Sequence, residues 1–344
     1  MNKVTWQSPS NIALIKYWGK HGVQLPSNPS LSFTLSECNT TTELFWKEGN
    51  GNIELIFNGE NKERFTARAR EYISSITPRF PYLKEFDLHI DSVNNFPHSA
   101  GIASSASAMS SLALCLCSME EIIRGKEIPE DEFLRKASDI GRIGSGSAAR
   151  SVYGGFVSWG KSDKIPDSSD EYASPLPIEV HEDFNDMRDT ILIVDQGIKA
   201  VSSRAGHKLM ARHPYSQQRF ELAKKNFNKL IRALKEGDDP TFIRIVESEA
   251  LGLHSLMMSS DPGYILLKAN TLNIIHRIRA YRELSCTTIC YTLDAGPNVH
   301  LLYHDSDAPE VEEFITQELL VYCSDKYRIN DHLGTGPIKQ ERGE

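Results

Sequence analysis

The N-terminal half of this chain contains a helix that has to be buried. Residues 104–119 are rich in Ala, Ser, Leu and Cys, and apolar residues occur nearly all round the predicted helix. Such a helix lies in a protein interior, because it has no polar face to turn toward water. The chain has 344 residues, which is long enough to bury a full core and predicts about two domains, at roughly 100–200 residues each. We place the two domains at residues 1–185 and 186–344.

Short strands and helices alternate along the rest of the chain without a regular βαβ period. The patterns predict strands at residues 43–46, 53–57, 86–93, 153–159, 190–194, 287–293 and 300–303, and helices at 65–76, 129–143, 216–236, 240–258, 264–283 and 309–320. The first two strands flank a turn at residues 49–51. Residues 161–177 are predicted to form a surface loop, and the segment after the last helix a polar tail. This interleaving favours an α+β class over a doubly wound sheet.

Charge and composition exclude several classes of partner. The net charge is −8, and no polybasic tract occurs. We therefore expect neither nucleic-acid nor membrane-surface binding, and an anionic ligand would need a local pocket of positive charge. The six cysteines form no C-x-x-C pair, no signal-peptide core follows the N-terminus, and no run of 18 apolar residues occurs. A cytoplasmic, reducing compartment is expected.

The most informative segment joins a predicted strand to the buried helix. It reads NNFPHSAGIASSAS at residues 94–107. Small residues let backbone N–H groups approach a ligand closely, and a helix N-terminus attracts anions. Ser104 and Ser105 add hydroxyl groups that could reach phosphate or magnesium. The alternative is a small-residue helix that packs tightly on a sheet, and the spacing alone does not decide between the two.

Two further segments combine hydroxyl groups with an arginine. Residues 143–151 include Ser145, Ser147 and Arg150, and residues 202–206 include Ser203 and Arg204. An arginine fork suits carboxylate or phosphate. Without a ligand, the same segments are compatible with an arginine paired to a surface acid and with a capped turn that enters a helix.

A lysine and an aspartate each adjoin an apolar run. Lys16 follows the run at residues 12–15, and a buried ammonium group needs a partner. Asp294 ends an apolar run before a Gly-Pro turn, where a carboxylate near buried Lys and Arg would stay ionised and could activate a hydroxyl group. An aspartate before a turn is also a common turn former. The sequence contains no H-E-x-x-H motif, no Ser-His-Asp order and no ordered His/Cys ligand cluster.

Five segments together resemble the mevalonate diphosphate decarboxylase family of the GHMP kinase superfamily. They are SPSNIALIKYWGK (8–20), NNFPHSAGIASSAS (94–107), GSGSAARSVYGGFV (144–157), SSRAG (202–206) and YTLDAGPN (291–298). The resemblance implies a GHMP kinase-like α+β fold, with a ribosomal protein S5 domain 2-like N-terminal half, a ferredoxin-like C-terminal half and the active site in the cleft between them. It also implies ATP, Mg²⁺, a phosphorylated mevalonate and a homodimer.

The same resemblance implies roles for individual residues. Asp294, Lys16 and Arg150 would form the reacting centre: Asp294 would deprotonate or orient the 3-hydroxyl, Lys16 would keep Asp294 ionised and Arg150 would hold the substrate carboxylate. The expected substrate-binding residues are Tyr17, Lys20, Ser145, Ser147, Ser203 and Arg204. The expected ATP-binding residues are Pro97, Ser99, Ala100, Gly101, Ala103, Ser104, Ser105 and Ser107, with Ser104 or Ser105 near Mg²⁺.

The expected reaction is the ATP-dependent decarboxylation of mevalonate 5-diphosphate to isopentenyl diphosphate in the mevalonate pathway. Three segments depart from the usual family text: PHSAG at residues 97–101, Gly206-His207 after the double serine, and MARHPY at residues 210–215. Three alternatives remain open: a mevalonate 5-phosphate decarboxylase, a small-molecule kinase that does not decarboxylate, and a non-enzymatic ligand sensor.

Overall fold

A seven-stranded sheet carries the N-terminal half. The computed structural model describes residues 2–97, 102–197, 201–285 and 287–340. Its first elements are β1 (Asn2–Ile15), β2 (Lys20–His21), β3 (Leu25–Pro26), β4 (Ser30–Glu48), β5 (Ile53–Phe57), α1 (Glu63–Ile76), β6 (Phe86–Asn94), α2 (Ser104–Arg124), α3 (Glu130–Gly144), β7 (Phe156–Trp159) and β8 (Ala173–Pro175). β2 and β3 form a separate two-stranded pair. The long antiparallel pair of β1 and β4 forms the middle of the sheet.

A four-stranded antiparallel sheet carries the C-terminal half. The elements are β9 (Met187–Leu192), α4 (Ser203–Leu209), α5 (Ser216–Glu236), α6 (Asp239–Met258), α7 (Ala269–Ser285), β10 (Ile289–Thr292), β11 (Val299–His304), α8 (Ala308–Phe314), β12 (Arg328–His332) and β13 (Ile338–Gln340). The strand order is β10-β11-β9-β12, while β13 pairs with β1 and is the seventh strand of the first sheet. These two sheets with their helices confirm the predicted α+β class.

Helix α2 is buried, as predicted, and it meets the sheet through paired hydroxyl groups as well as apolar side chains. Ser110 bonds Ser8 at 2.5 Å, and Ser111 bonds Thr42 at 2.6 Å. These bonds satisfy polar groups that burial would otherwise leave without partners. By length and composition α2 could also cross a membrane, but most of its apolar window is buried inside this protein.

Strand order could not be inferred from sequence order. The predicted strands at 43–46 and 53–57 lie within β4 and β5, but β6 lies between them, and β5 pairs with β6 in parallel. Asp87 of β6 accepts hydrogen bonds from the N–H groups of Asn50 and Asn52 at 3.0 and 2.9 Å. The turn is therefore held against β6, and β6 rather than β5 pairs with β4.

Several predicted boundaries were wrong. The strand predicted at 153–159 begins at Phe156, the surface loop predicted at 161–177 contains β8, which pairs with β7, and the helix predicted at 309–320 ends as an α-helix at Phe314. The helix expected from residue 264 begins at Ala269, where the Thr271 hydroxyl accepts the N–H of Lys268 at 3.2 Å and caps the first turn. The predicted polar tail contains β12 and β13, which pair with β9 and β1. Both are edge strands, which tolerate charged and polar residues and so lack a clear apolar alternation.

The two halves share a core. One cluster of buried residues includes Leu14 of β1 and Phe33 of β4 together with Ile191 of β9 and Phe227 of α5. Asp331 of β12 adds a polar clamp, because its carboxylate accepts the backbone N–H groups of residues 36, 37 and 38 at 2.7–2.9 Å. The shared core and this clamp fix the position of β1 relative to the C-terminal sheet. The domain limits at 1–185 and 186–344 stay a prediction.

Candidate active site

One cleft collects side chains from both halves of the chain. Its volume, including the part open to solvent, is about 870 Å³, and it lies between the end of β1, the turn after α3, helix α4 and the segment after β10. The predicted residues that line it are Lys16, Tyr17, Lys20, Ala103, Ser105, Ser145, Ser147, Arg150, Ser203, Arg204 and Asp294. Segments far apart in sequence thus converge on a single site.

Lys16 is a buried cation at the end of β1. Its Nζ donates to the carbonyl oxygen of Ala13 at 2.5 Å and to Oγ1 of Thr292 at 2.8 Å. Burial lowers the pKa of Lys16 to about 8, although the carboxylates of Asp294 and Glu249 act to raise it. The ammonium group is thus charged at neutral pH and lies close enough to Asp294 to interact with it.

Arg150 is held from behind by polar side chains. Its Nε donates to Asn11 Oδ1 at 3.2 Å, and Nη1 donates to Ser30 Oγ at 2.6 Å. The guanidinium carbon lies 5.8 Å from the ring centroid of Trp159. Burial lowers the pKa of Arg150 to about 10, so the group remains a cation at neutral pH. These contacts position a fixed positive charge at the cleft wall.

The turn before Arg150 requires a small residue. A Cβ atom on Gly146 would lie 2.6 Å from the hydroxyl oxygen of Tyr17, closer than such atoms can approach. The glycine therefore allows the Ser145–Ser147 turn to pack against Tyr17. The Tyr17 hydroxyl is buried and has no hydrogen-bond partner among the described residues, and burial raises its pKa. A neutral phenol is thus available to a ligand in the cleft.

Asp294 is held in the cleft by its own turn. Its carbonyl oxygen accepts hydrogen bonds from His254 Nε2 at 3.0 Å and from the N–H of Gly296 at 2.7 Å. The carboxylate acts to raise the pKa values of Lys16, Arg150 and His207, which places all three within electrostatic range. A carboxylate beside two buried cations is a suitable acceptor for a hydroxyl proton.

A second group of cations lies at another part of the cleft. Burial and the positive charges of Arg204 and Lys208 lower the pKa of Lys20. Lys20 donates to a neutral partner, Gln24 Oε1, at 2.6 Å. Because these cations repel one another and Lys20 is bonded to an amide rather than a carboxylate, a polyanion such as a diphosphate would stabilise them.

An apolar cavity adjoins the cleft at Ser105 and Arg68. Its volume, including the part open to solvent, is about 590 Å³, and it is lined by apolar residues of β5, β6, α1 and α2, among them Leu55, Phe65 and Met109. Ser105 and Arg68 line both spaces, and the Ser105 hydroxyl lies 3.1 Å from that of Ser145. Ala103, just before α2, has φ +46°, a left-handed conformation that alanine seldom adopts.

Several residues predicted to bind ATP do not line the cleft. Ser107 is fully buried and bonds Thr40 at 2.6 Å, so it belongs to the interface of α2 with the sheet. Pro97 is outside the cleft lining, and Ser104 lines only the apolar cavity. Ser99, Ala100 and Gly101 lie outside the described residues.

Sequence reasoning missed several residues of the site. Arg68 occurs in an ordinary amphipathic helix, so no local pattern distinguishes it from a solvated arginine. Glu249 and Arg219 form a buried ion pair at 2.7 Å, and Glu249 also accepts the N–H of Lys16 at 3.0 Å. A glutamate on an apolar helix was the available signal. His207 lines the cleft, although no ordered histidine cluster marked it in the sequence.

Comparisons with known proteins cover nearly the whole chain. Residues 8–173 match the model of the diphosphomevalonate decarboxylase-like N-terminal domain, and residues 190–336 match that of the mevalonate 5-diphosphate decarboxylase C-terminal domain. The diphosphomevalonate decarboxylase of Candida albicans is 30% identical over 319 residues, which cover 88% of this chain and 85% of that protein.

Solved structures agree in fold. The complex of MDDEF with MVAPP, AMPPCP and magnesium has a TM-score of 0.84 at 27% identity and covers 99% of both chains. The mevalonate diphosphate decarboxylase from Staphylococcus aureus also has a TM-score of 0.84 at 27% identity, with 98% of both chains covered. The GHMP kinase-like fold implied by the resemblance is thereby confirmed.

Proposed function

Because this chain belongs to the mevalonate diphosphate decarboxylase family, we propose that Asp294, Lys16 and Arg150 form its reacting centre. The enzyme catalyses the ATP-dependent decarboxylation of mevalonate 5-diphosphate. The products are isopentenyl diphosphate, ADP, phosphate and CO₂. The observation that supports the proposed roles is the meeting of Asp294, from the C-terminal half, with two buried cations from the N-terminal half in one cleft.

Asp294 acts first. Its carboxylate accepts the proton of the tertiary 3-hydroxyl of the substrate or orients that hydroxyl, while the oxygen forms a bond to the γ-phosphorus of ATP. The bond between that phosphorus and the oxygen that bridges it to the β-phosphorus breaks with its electron pair on the oxygen, and ADP leaves. Lys16 favours the ionised carboxylate through its positive charge, and Arg150 binds the substrate carboxylate with its planar fork. Catalysis of this kind depends on positioning and on charge more than on covalent chemistry.

The second half of the reaction breaks two bonds. The C3–O bond breaks with its electron pair on the departing phosphate, and positive charge develops at C3. The C1–C2 bond then breaks, CO₂ leaves, and its electron pair forms the C2–C3 double bond. Lys16 and Arg150, both almost fully buried, orient the carboxylate and phosphate groups.

The nucleotide site has apolar and polar parts. We assign the adenine ring to the apolar cavity and the phosphates to the junction at Ser105 and Arg68. No cluster of three or more His, Cys, Asp or Glu side chains suited to a metal is found in the described part of the chain. That fits Mg²⁺, which is held by few protein ligands together with phosphates and water. The Ser105 hydroxyl would hold the ion, which would neutralise phosphate charge when bound.

A coupled assay tests the function directly. Purified enzyme is given ATP with mevalonate 5-diphosphate or mevalonate 5-phosphate, and ADP and CO₂ are measured together. We expect equal amounts of both products with the diphosphate and little turnover with the monophosphate. A stable 3-phosphate product without CO₂ would identify a kinase instead. If neither compound causes ATP to be consumed, both assignments are contradicted.

The role of Asp294 is tested by the substitution Asp294→Asn. We expect turnover to fall by roughly 10³-fold or more, because the amide cannot accept the hydroxyl proton. Nucleotide affinity, measured by calorimetry, should change little. The matched control is Asp305→Asn, an exposed aspartate paired with Arg188 outside the cleft, which should keep full activity. Normal CO₂ release by the Asp294 variant would refute the assignment.

We also propose a cytoplasmic, homodimeric enzyme. Five cysteines are free and buried in the described part of the chain, which supports a reducing compartment. The homodimer rests on the family resemblance. Light scattering of the eluted enzyme tests it, with a mass of about twice 38.7 kDa as the expected result.

A further inference from the structure

His207 is a buried imidazole on the wall of the cleft. It lies on α4 together with Ser203 and Arg204, and all three side chains line the cleft. Residues four apart on a helix share a face, so His207 and Ser203 face the same part of the site. The imidazole ring lies against two aromatic rings, with centroid distances of 4.4 Å to Tyr17 and 4.5 Å to Trp18.

Backbone contacts fix how this ring is held. The N–H of Gly19 donates to His207 Nδ1 at 3.1 Å, so Nδ1 carries a lone pair and the ring proton is on Nε2. Gly206 allows the close packing, since a Cβ atom there would lie 2.6 Å from the Trp18 ring. Among the described residues none accepts a hydrogen bond from Nε2. The remaining donor of the ring is thus available to a molecule in the cleft.

The ring is neutral across the physiological range. Burial, with a smaller contribution from the charge of Lys20, lowers the pKa of His207 to about 3, against the opposing effect of Asp294. A protonated ring would repel Lys20 and the neighbouring Arg204 and Lys208. A neutral N–H group adds a hydrogen-bond donor beside these cations without adding another positive charge.

We propose that His207 is a specificity-determining residue whose Nε2–H donates a hydrogen bond to a phosphate oxygen of mevalonate 5-diphosphate at the Lys20–Arg204 part of the cleft. This inference rests on the proposed function and deepens it. The cations attract the diphosphate from any direction, whereas the ring, fixed by Gly19, Tyr17 and Trp18, has one direction of donation. It therefore selects where a phosphate oxygen lies.

Three substitutions separate the two ring nitrogens. His207→Gln places an amide N–H close to the position of Nε2. His207→Asn keeps an acceptor for the Gly19 N–H, but its side chain is too short to donate to a ligand in the cleft. His207→Met removes both functions at similar volume. Binding of mevalonate 5-diphosphate is measured by calorimetry without nucleotide. We expect the Kd to rise by about 10- to 100-fold in the Asn and Met variants and by less than about threefold in the Gln variant.

Kinetics provide a readout that a structural role would not change. The KM for mevalonate 5-diphosphate should rise with the Kd, whereas kcat and the KM for ATP should stay nearly constant, because the lost bond is made equally in the ground state and the transition state. The matched control is His89→Asn, a histidine on β6 paired with Glu54 outside the cleft, which should change neither constant.

The outcomes distinguish this inference from the proposed function. If the unmodified enzyme releases no CO₂ from mevalonate 5-diphosphate, the proposed function is wrong. If it is active and the Asn and Met variants bind as tightly as wild type, the donor role of His207 is wrong. A Gln variant as weak as the Met variant would assign the effect to ring packing and would also overturn the inference.

A measurement on the unmodified chain covers the case in which the variants do not fold. With ¹⁵N-labelled histidine, the ring of His207 should give the signals of a neutral Nε2–H tautomer. Titration with mevalonate 5-diphosphate should move its Nε2–H proton downfield, as expected for a hydrogen bond to phosphate. A proton on Nδ1, or a signal that the substrate leaves unchanged, would contradict the proposal.

Discussion

At the residue scale, the charge on Lys16 is the property of the site that changes most readily with pH. Burial favours the neutral amine, while Asp294 and Glu249 favour the ammonium form, and the balance leaves its pKa at about 8. Deprotonation of Lys16 would remove the positive charge that lies beside the Asp294 carboxylate and favours its ionised form. Activity should therefore depend on the protonation of one buried lysine.

We predict that kcat/KM falls as the pH rises through about 8, because Lys16 of the free enzyme loses its proton there. Initial rates at low substrate concentration between about pH 6 and pH 10 would show this limb. In Lys16→Arg the limb should move to higher pH, since a guanidinium stays charged. The control Lys3→Arg, at an exposed lysine paired with Glu43, should keep it. An unchanged limb in Lys16→Arg would assign the titration to another group.

At the element scale, two helices hold the end of β1 through a buried ion pair. Arg219 of α5 makes two bonds to Glu249 of α6, at 2.9 and 2.7 Å, and Asn226 adds a third to the same carboxylate at 2.8 Å. Glu249 also accepts the N–H of Lys16. The pair thus sets the backbone position from which Lys16 reaches the cleft.

Glu249→Gln should lower the free energy of unfolding by about 3–5 kcal/mol, because it leaves the Arg219 charge buried without a counter-ion. Urea denaturation monitored by circular dichroism measures this loss. Glu236→Gln is the matched control: Glu236 pairs with Arg232 on the exposed face of α5, and its loss should cost less than about 0.5 kcal/mol. Similar losses in the two variants would contradict the assigned role of the buried pair.

A second contact at this scale joins β11 to the start of α6. His304 Nδ1 lies 2.5 Å from the Asp183 carbonyl oxygen, and Nε2 lies 2.9 Å from Asp239 Oδ1. Only a protonated ring donates to both. Burial acts to lower the pKa of His304, but the hydrogen bond and the charge of Asp239 outweigh it, so the pKa lies above its usual value.

Since the folded state raises this pKa, the contribution of His304 to stability should be complete below about pH 6.5, the usual value for histidine, and should disappear as the pH rises through the folded value. We expect wild type to exceed His304→Gln by up to about 1 kcal/mol at low pH, because the site is partly exposed. Urea denaturation of both proteins across this range measures the difference. A difference that grows with pH would contradict the assignment.

At the scale of the whole molecule, the charge of the cleft lining is opposite in sign to the net charge of the chain. The net charge is −8, yet the described lining of the cleft contains Lys16, Lys20, Arg68, Arg150 and Arg204 against the carboxylate of Asp294. Lys199 lies outside the described residues. The cations concentrate attraction for phosphates in the cleft, while the acidic remainder favours solubility.

This distribution predicts a salt effect on substrate binding. Raising NaCl from about 50 mM to about 500 mM should raise the KM for mevalonate 5-diphosphate by roughly 3- to 10-fold, because counter-ions screen the cleft cations. The kcat should change much less, since the bound substrate excludes those ions. Steady-state kinetics at constant free Mg²⁺ measure both constants, with sucrose as a control for viscosity. A KM independent of salt would contradict the electrostatic role of the cleft.

Local patterns in the sequence were sufficient for most elements and for much of the site. The spacing of apolar residues identified α5 and α6 nearly to their ends, because it shows which face of a helix is covered. The start of α2 was also predicted, but that helix continues to Arg124, beyond the predicted end at residue 119. Small residues and paired hydroxyl groups marked the segments around Ser105, Ser147 and Ser203. All three line the cleft, since the chemistry that made them conspicuous is that of a ligand site.

Contacts between distant segments were decided by tertiary packing. Neither the place of β6 between β4 and β5 nor the pairing of β13 with β1 follows from a local pattern, because strand pairing depends on partners many residues away. For the same reason, no local pattern shows that Arg68 lines the cleft or that Ser107 is buried between α2 and the sheet. The neutral state of His207 likewise depends on the packing of Tyr17, Trp18 and Gly19 around it: residue identity supplies a titratable ring, and only the surroundings select its charge and the nitrogen that carries its proton.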